Sequence, residues 1–205
     1  MSALPLTAIE ARILGVLIEK KHTVPDTYPL SLNALQSGCN QKSSRDPVME
    51  LSEPELLEAL DTLRQKSLIA ESSGGRVSKY AHNLDRVLSI PSQSVAILTV
   101  LILRGPLTTA EIRQYTERLH RFSDVSAVEG FLSELQERTD GALVVELPRQ
   151  SGARERRWAH LLCGEPQISE SATSATGSSN LEARVSVLEA EVAELKALLE
   201  SLTAG

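Results

Sequence analysis

One pattern of hydrophobic positions occurs twice along the chain. Ile13-Leu14-Gly15-Val16-Leu17-Ile18 returns as Ile97-Leu98-Thr99-Val100-Leu101-Ile102, 84 residues later, with five of six positions identical. Leu60-x-x-Leu63 returns as Leu132-x-x-Leu135 at an offset of 72, and Tyr80-Ala81-His82-x-Leu84 as Trp158-Ala159-His160-x-Leu162 at an offset of 78. The order is kept while the offset changes. The first copy therefore holds about twelve extra residues before its third helix, and the second about six extra in its final hairpin.

Each copy reads as three helices and two strands. Ser/Thr-x-x-Glu capping boxes satisfy free N–H groups at a helix start, and they occur at Thr7-x-x-Glu10, Ser52-x-x-Glu55, Thr108-x-x-Glu111 and Ser126-x-x-Glu129. Leu56, Leu57, Leu60 and Leu63 form one apolar stripe, and Leu30, Leu32 and Leu35 seed a shorter helix before it. Leu68–Glu71 and Val77–Ala81 flank the turn-rich segment Ser72 to Arg76. In the second copy Leu143–Leu147 and Arg156–Leu162 flank Pro148 to Glu155. Three helices followed by a β-hairpin is the winged-helix order, with the third helix as groove reader and the hairpin as wing. The expected fold is thus mainly α with small β-hairpin wings (α+β). It comprises a first winged-helix domain over 1–90, a second over 91–164, a flexible Ser/Thr/Ala/Gly linker over 165–179 and a coiled-coil helix over 180–203.

In that last helix Val185, Val192 and Leu199 occupy a positions and Leu181, Leu188, Leu195 and Leu202 occupy d positions, behind a further capping box at Ser179-x-x-Glu182. Val at a with Leu at d favours two parallel strands. Arg184 would face Glu189, and Glu191 would face Lys196, across such a pair. A homodimer is expected; the competing expectation is one amphipathic helix docked on its own globular part.

Composition narrows this little. The chain has 205 residues, 41% hydrophobic and 23% charged, as ordinary globular proteins have. Two cysteines, Cys39 and Cys163, make no disulfide framework. The start lacks the features of a signal peptide, and Val95–Leu103 is too short to span a membrane. A cytoplasmic protein without membrane contact is the expectation.

Charge is more informative by segment. The net −6 divides into −1 for residues 1–90, 0 for 91–164 and −5 for 165–205, so the acidity belongs to the tail and does not itself exclude nucleic acid. Asn40, Gln41, Lys42, Ser43, Ser44 and Arg45 place six hydrogen-bonding side chains together, able to hold phosphates or base edges. The plainer reading is that they cap helices and close turns, with Asp46-Pro47 as N-cap and N1 of a short helical turn. Arg149, Arg154, Arg156 and Arg157 against Glu155 make the second wing locally basic, suited to a phosphate backbone or merely solvated; Arg113, Arg118 and Arg121 could extend it. Against DNA, the segments Ser52–Leu68 and Asp124–Arg138 sum to −2 and −3.

The segment Pro25-Asp26-Thr27-Tyr28-Pro29-Leu30-Ser31-Leu32-Asn33-Ala34-Leu35, with Cys39 to Val48, resembles the signature of the YceH-like family of bacterial proteins. Arg104-Gly105-Pro106, His120-Arg121-Phe122, Leu147-Pro148-Arg149-Gln150 and Trp158 to Leu162 are similar to the same family. The resemblance spans roughly residues 4–166. It implies a tandem winged-helix fold without an assigned biochemical role, and carries over no catalytic or ligand-binding residue.

Enzyme chemistry finds little footing. His22, His82, His120 and His160 with the two cysteines show no metal-ligand spacing, and a phosphate loop or nucleophile elbow is missing. Six scattered aromatic residues do not make a base-stacking platform. The sequence thus implies no catalytic residue, metal or cofactor. Its leading expectation is a regulator-like protein touching duplex DNA through the first-copy loop and second-copy wing. The alternative is an adaptor or scaffold that binds protein, which the acidic third helices favour.

Overall fold

Thr7 and Glu10 start the first helix by exchanging bonds: the Thr7 N–H donates to Glu10 Oε2 at 2.7 Å, and the Glu10 N–H donates to Thr7 Oγ1 at 3.1 Å. The computed structural model describes residues 5–72, 77–149 and 152–166. Residues 73–76, residues 167–179 of the expected linker and the whole of the expected coiled-coil helix, with Leu181, Val185, Leu188, Val192, Leu195, Leu199 and Leu202, lie outside the described residues.

The chain is α+β. Helix α1 (Ala8–Thr23) is followed by a single 3-10 turn (Pro25–Thr27), β1 (Leu30–Ser31), α2 (Leu32–Cys39), α3 (Glu53–Gln65), β2 (Ile69–Ser72) and β3 (Lys79–His82). A short α4 (Leu84–Leu88) leads to α5 (Ser92–Arg104), α6 (Thr109–Thr116), α7 (Val125–Gln136), β4 (Val144–Glu146) and β5 (Trp158–His160). The first sheet has the order β1-β3-β2 and the second is the β4-β5 pair, both antiparallel. Leu30 faces Tyr80 in the first sheet, and an isolated bridge joins Leu107 to Trp158 in the second. The repeat therefore extends to strand pairing, since Tyr80 and Trp158 are the matched positions.

Two expectations need correction. Asp124, not Ser126, caps α7: its Oδ1 accepts from the Ala127 N–H at 2.8 Å, and a carboxylate two residues earlier takes the role before Ser126 can. Asp46-Pro47 starts no helical turn. The Asp46 N–H is committed to Leu103 O at 2.8 Å and Pro47 O to Arg12 at 2.6 Å, so the segment's polar groups bond across the fold rather than along the chain. Residues 84–88, which the sequence reading left without an element, form α4, because Leu84 and Leu88 both turn into the core.

Helices α1 and α5 share the centre. Glu10 to Ile18 and Ser94 to Leu103 are buried without interruption, and the two helices pack on each other. Here the one mismatch in the repeated hexapeptide has a reason. A Cβ on Gly15 would stand 2.9 Å from Ile102 Cγ2 and 2.9 Å from Leu103 Cδ2, whereas the matching Thr99 has room to donate its hydroxyl to Val95 O at 2.7 Å. Residues up to Pro166 make one compact unit. Among the described residues, no helix is long and apolar enough to cross a membrane.

Candidate functional site

The signature loop between α2 and α3 is held from within. Arg45 has a fully buried side chain. It donates to both carboxylate oxygens of Glu19 at 2.6 and 3.2 Å, to Gly38 O at 3.2 Å and to Ser44 O at 2.9 Å. Burial works to raise the Glu19 carboxyl, but its bonds to Arg45, helped by Lys20, outweigh that and hold it below the usual range. Arg12, also buried, ties Cys39 O at 3.2 Å and Pro47 O at 2.6 Å to α1. Burial first, then the nearby Arg45 cation, lowers the Arg12 pKa from its ordinary value.

The rest of the loop divides into tied and free residues. Asn40 reads the backbone of Leu51 at two points, donating to its O at 2.9 Å and accepting from its N–H at 2.8 Å. Gln41 donates to Ser43 O at 3.1 Å, and the Ser44 hydroxyl accepts from Arg104 at 2.9 Å. Lys42 and Ser43 are exposed. Within this set the capping and turn-closing role accounts for Asn40, Gln41 and Arg45.

The second hairpin is partly self-neutralised. Arg156 pairs with Glu146 across the strands at 2.7 Å, and Arg157 donates to Pro106 O at 2.8 Å and lies 3.5 Å from Glu111. Arg149 donates to Ala153 O at 2.6 Å, while Arg154 is exposed. The structure places Arg149, Arg154, Arg156 and Arg157 on one arm, two of them beside carboxylates.

The third helix of each copy turns its acids outward. Glu53, Glu55, Glu58 and Asp61 on α3, and Asp124, Glu129, Glu134 and Glu137 at and along α7, are exposed. Arg64 is held by Asp61 at 2.8 Å and Glu71 at 2.9 Å; Arg138 is turned inward to Leu88 O at 2.9 Å. Leu57 on α3 and Val125 on α7 stand 41% and 37% exposed among these acids. Each helix thus offers an acidic surface with an apolar residue in it.

The matched histidines sit in the two sheets. Burial, reinforced by Lys21, pushes His82 down to about 4, and burial alone pushes His160 down to about 4, so both are neutral at pH 7. Burial drives the Cys39 thiol up to about 12, which removes it as a nucleophile. Among the described residues no three His, Cys, Asp or Glu side chains gather as a metal group.

Sequence reasoning gave no role to Arg12, Glu19 or Arg104. Arg12 had a visible signal, a cation inside an otherwise apolar stretch of α1. Glu19 and Arg104 look like ordinary helix-end charges until the loop folds onto them.

The family model described as "Protein of unknown function, DUF480" matches residues 6–153, a span that contains the loop, both third helices and, of the arm's arginines, Arg149. A UPF0502 protein of Dechloromonas aromatica (strain RCB) is 58% identical over 200 residues, covering 95% of this chain and 94% of the relative. A UPF0502 protein of Burkholderia ambifaria (strain MC40-6) is 55% identical over 197 residues, covering 96% and 83%. One of Burkholderia pseudomallei (strain 668) is 55% identical over 203 residues, covering 95% and 86%. These bacterial relatives agree with the YceH-like resemblance of the signature segment.

Proposed function

We infer that this chain, which belongs to the DUF480 family, is a non-catalytic adaptor whose two winged-helix units bind a protein with a basic surface. The supporting observation is the outward face of α3 and α7. The helix that a winged-helix protein inserts into the DNA groove carries four exposed carboxylates in each copy, next to an exposed Leu57 or Val125. Phosphate would be repelled there, while a basic protein patch would be complementary. Dimerisation through Leu181 to Leu202 would present four such faces.

Duplex DNA is the second reading, favoured by the exposed Lys42, Arg149 and Arg154. Titration with random duplex DNA across a salt series separates the two. The adaptor reading expects weak binding that Lys42→Ala, Arg149→Ala and Arg154→Ala together leave unchanged, and a partner interaction lost on Glu58→Lys with Glu134→Lys. Tight, steeply salt-dependent DNA binding abolished by the three alanines would overturn it. Mass analysis with and without residues 180–205 tests the dimer; an unchanged mass counts against it.

A further inference from the structure

A cleft of about 630 Å³ opens between the two copies, walled by the C-terminal part of α1, the signature loop, the end of α5 and α6. That volume is within the roughly 300–1,000 Å³ of small-molecule sites. Its central side chain is Arg104. The guanidinium lies over the Tyr115 ring, 3.8 Å from the centroid, and one Nη donates to Ser44 Oγ at 2.9 Å. Tyr115 comes from the second copy and Ser44 from the first, so both copies orient this arginine. Ser44 is itself held with φ at 60°, a left-handed conformation uncommon for serine, and Arg45 grips its carbonyl at 2.9 Å.

Arg104 nevertheless has donors to spare: among the described residues, the one hydrogen bond of its guanidinium is that from a single Nη to Ser44 Oγ. The surrounding charge favours an anion. Lys20, Arg104 and Arg118 line the cleft with Glu19 and Glu117; Lys20 lies 3.3 Å from Glu19, and Arg45 behind the wall gives Glu19 its bidentate partner. Glu117 lies in water at 67% exposure, where screening weakens its repulsion. Val100, Leu103 and Leu119 supply an apolar wall.

A planar guanidinium fixed by stacking, with donors to spare, suits a carboxylate or phosphate group. We propose that this cleft binds a small organic anion, its carboxylate or phosphate on Arg104 and its apolar body against Val100, Leu103 and Leu119. The site needs both copies, which distinguishes it from the protein-facing surfaces of α3 and α7. It also gives the first copy's additional loop a chemical role, because that loop supplies Ser44 and Gln41 to the cleft.

Backbone ¹⁵N NMR titration of the full chain tests it with phenyl phosphate and benzoate as probes and benzamide as the neutral control. The expected result is saturable shifts at residues 20, 41–44, 104 and 114–118, with Kd at or below about 1 mM for at least one anion and little response to benzamide. Arg104→Gln should weaken binding about tenfold or more. Arg118→Gln, which removes an exposed side chain and leaves the Ser44 contact intact, should weaken it several-fold even if Arg104→Gln unfolds. Lack of saturation by either anion at about 10 mM, equal shifts with benzamide, or an unchanged affinity in Arg118→Gln would overturn the proposal.

Discussion

Arg45→Ala separates a structural arginine from a contact arginine. The substitution removes a fully buried guanidinium that makes two bonds to Glu19, at 2.6 and 3.2 Å, and one each to the carbonyls of Gly38 and Ser44. Breaking a buried ion pair typically costs about 3–5 kcal/mol, because the surviving charge loses its partner. Glu19 keeps 20% exposure and Lys20 at 3.3 Å, so the expected loss is at the lower end, about 3 kcal/mol. For a domain of this size that lowers Tm by about 6–12 °C. Urea unfolding followed by circular dichroism should show the midpoint falling at constant slope, with Lys42→Ala within about 0.5 kcal/mol of wild type. A double-mutant cycle with Glu19→Gln should return a coupling above about 1 kcal/mol. Acid should erase the difference. The folded-state pKa of Glu19 is depressed, so the pair's stabilisation is complete above the unfolded carboxylate range and is lost as pH falls through the folded value; the Arg45→Ala deficit should shrink with it. An Arg45→Ala cost below about 1 kcal/mol, accompanied by loss of salt-dependent DNA binding, would refute this reasoning and make Arg45 a contact residue.

His82 and His160, near 4 against an ordinary 6.5, bind fewer protons folded than unfolded. Stability should therefore fall as pH drops, by roughly 2 kcal/mol per histidine between pH 7 and 5, and urea midpoints for wild type and His82→Gln/His160→Gln should reveal a flatter slope in the variant. Equal wild-type stability at the two pH values would contradict it. Two glycine-to-alanine changes should have opposite signs. Gly15→Ala meets Ile102 and Leu103 at 2.9 Å and should cost about 1–3 kcal/mol, whereas Gly130→Ala on α7 meets nothing within 4 Å and should gain about 0.5–1 kcal/mol, both read by thermal melts. Thr108→Ala removes the cap that accepts the Glu111 N–H at 3.3 Å and should cost about 1 kcal/mol in the same measurement.

Local signals carried the fold a long way. The repeated apolar hexapeptide, the capping boxes at Thr7 and Thr108 and the Tyr80/Trp158 match placed six of the helices and the hairpins, because each depends on residues within a few positions of one another. The failures share a cause. Asp46-Pro47 has the form of a helix start, yet its polar groups bond to Leu103 and Arg12, and sequence spacing contains no such distant competitors. The candidate contact set suffered likewise. Asn40 and Arg45 have the chemistry of phosphate or base contacts, and only the fold shows that Leu51 and Glu19 already take their bonds. Lys42 and Arg154 are exposed and show no such engagement among the described residues.

The glycine at position 15 bears on how the chain could have changed after its duplication. Where α1 and α5 meet, the repeated helix is narrow in one copy at Gly15 and broad in the other at Thr99. In that sense the copies are a lock and its key. Losing one would bare the largely apolar buried surface of Glu10–Ile18 or Ser94–Leu103, and exchanging them would put a threonine into a space with no room for a methyl group. Recombination among relatives would therefore inherit the pair whole.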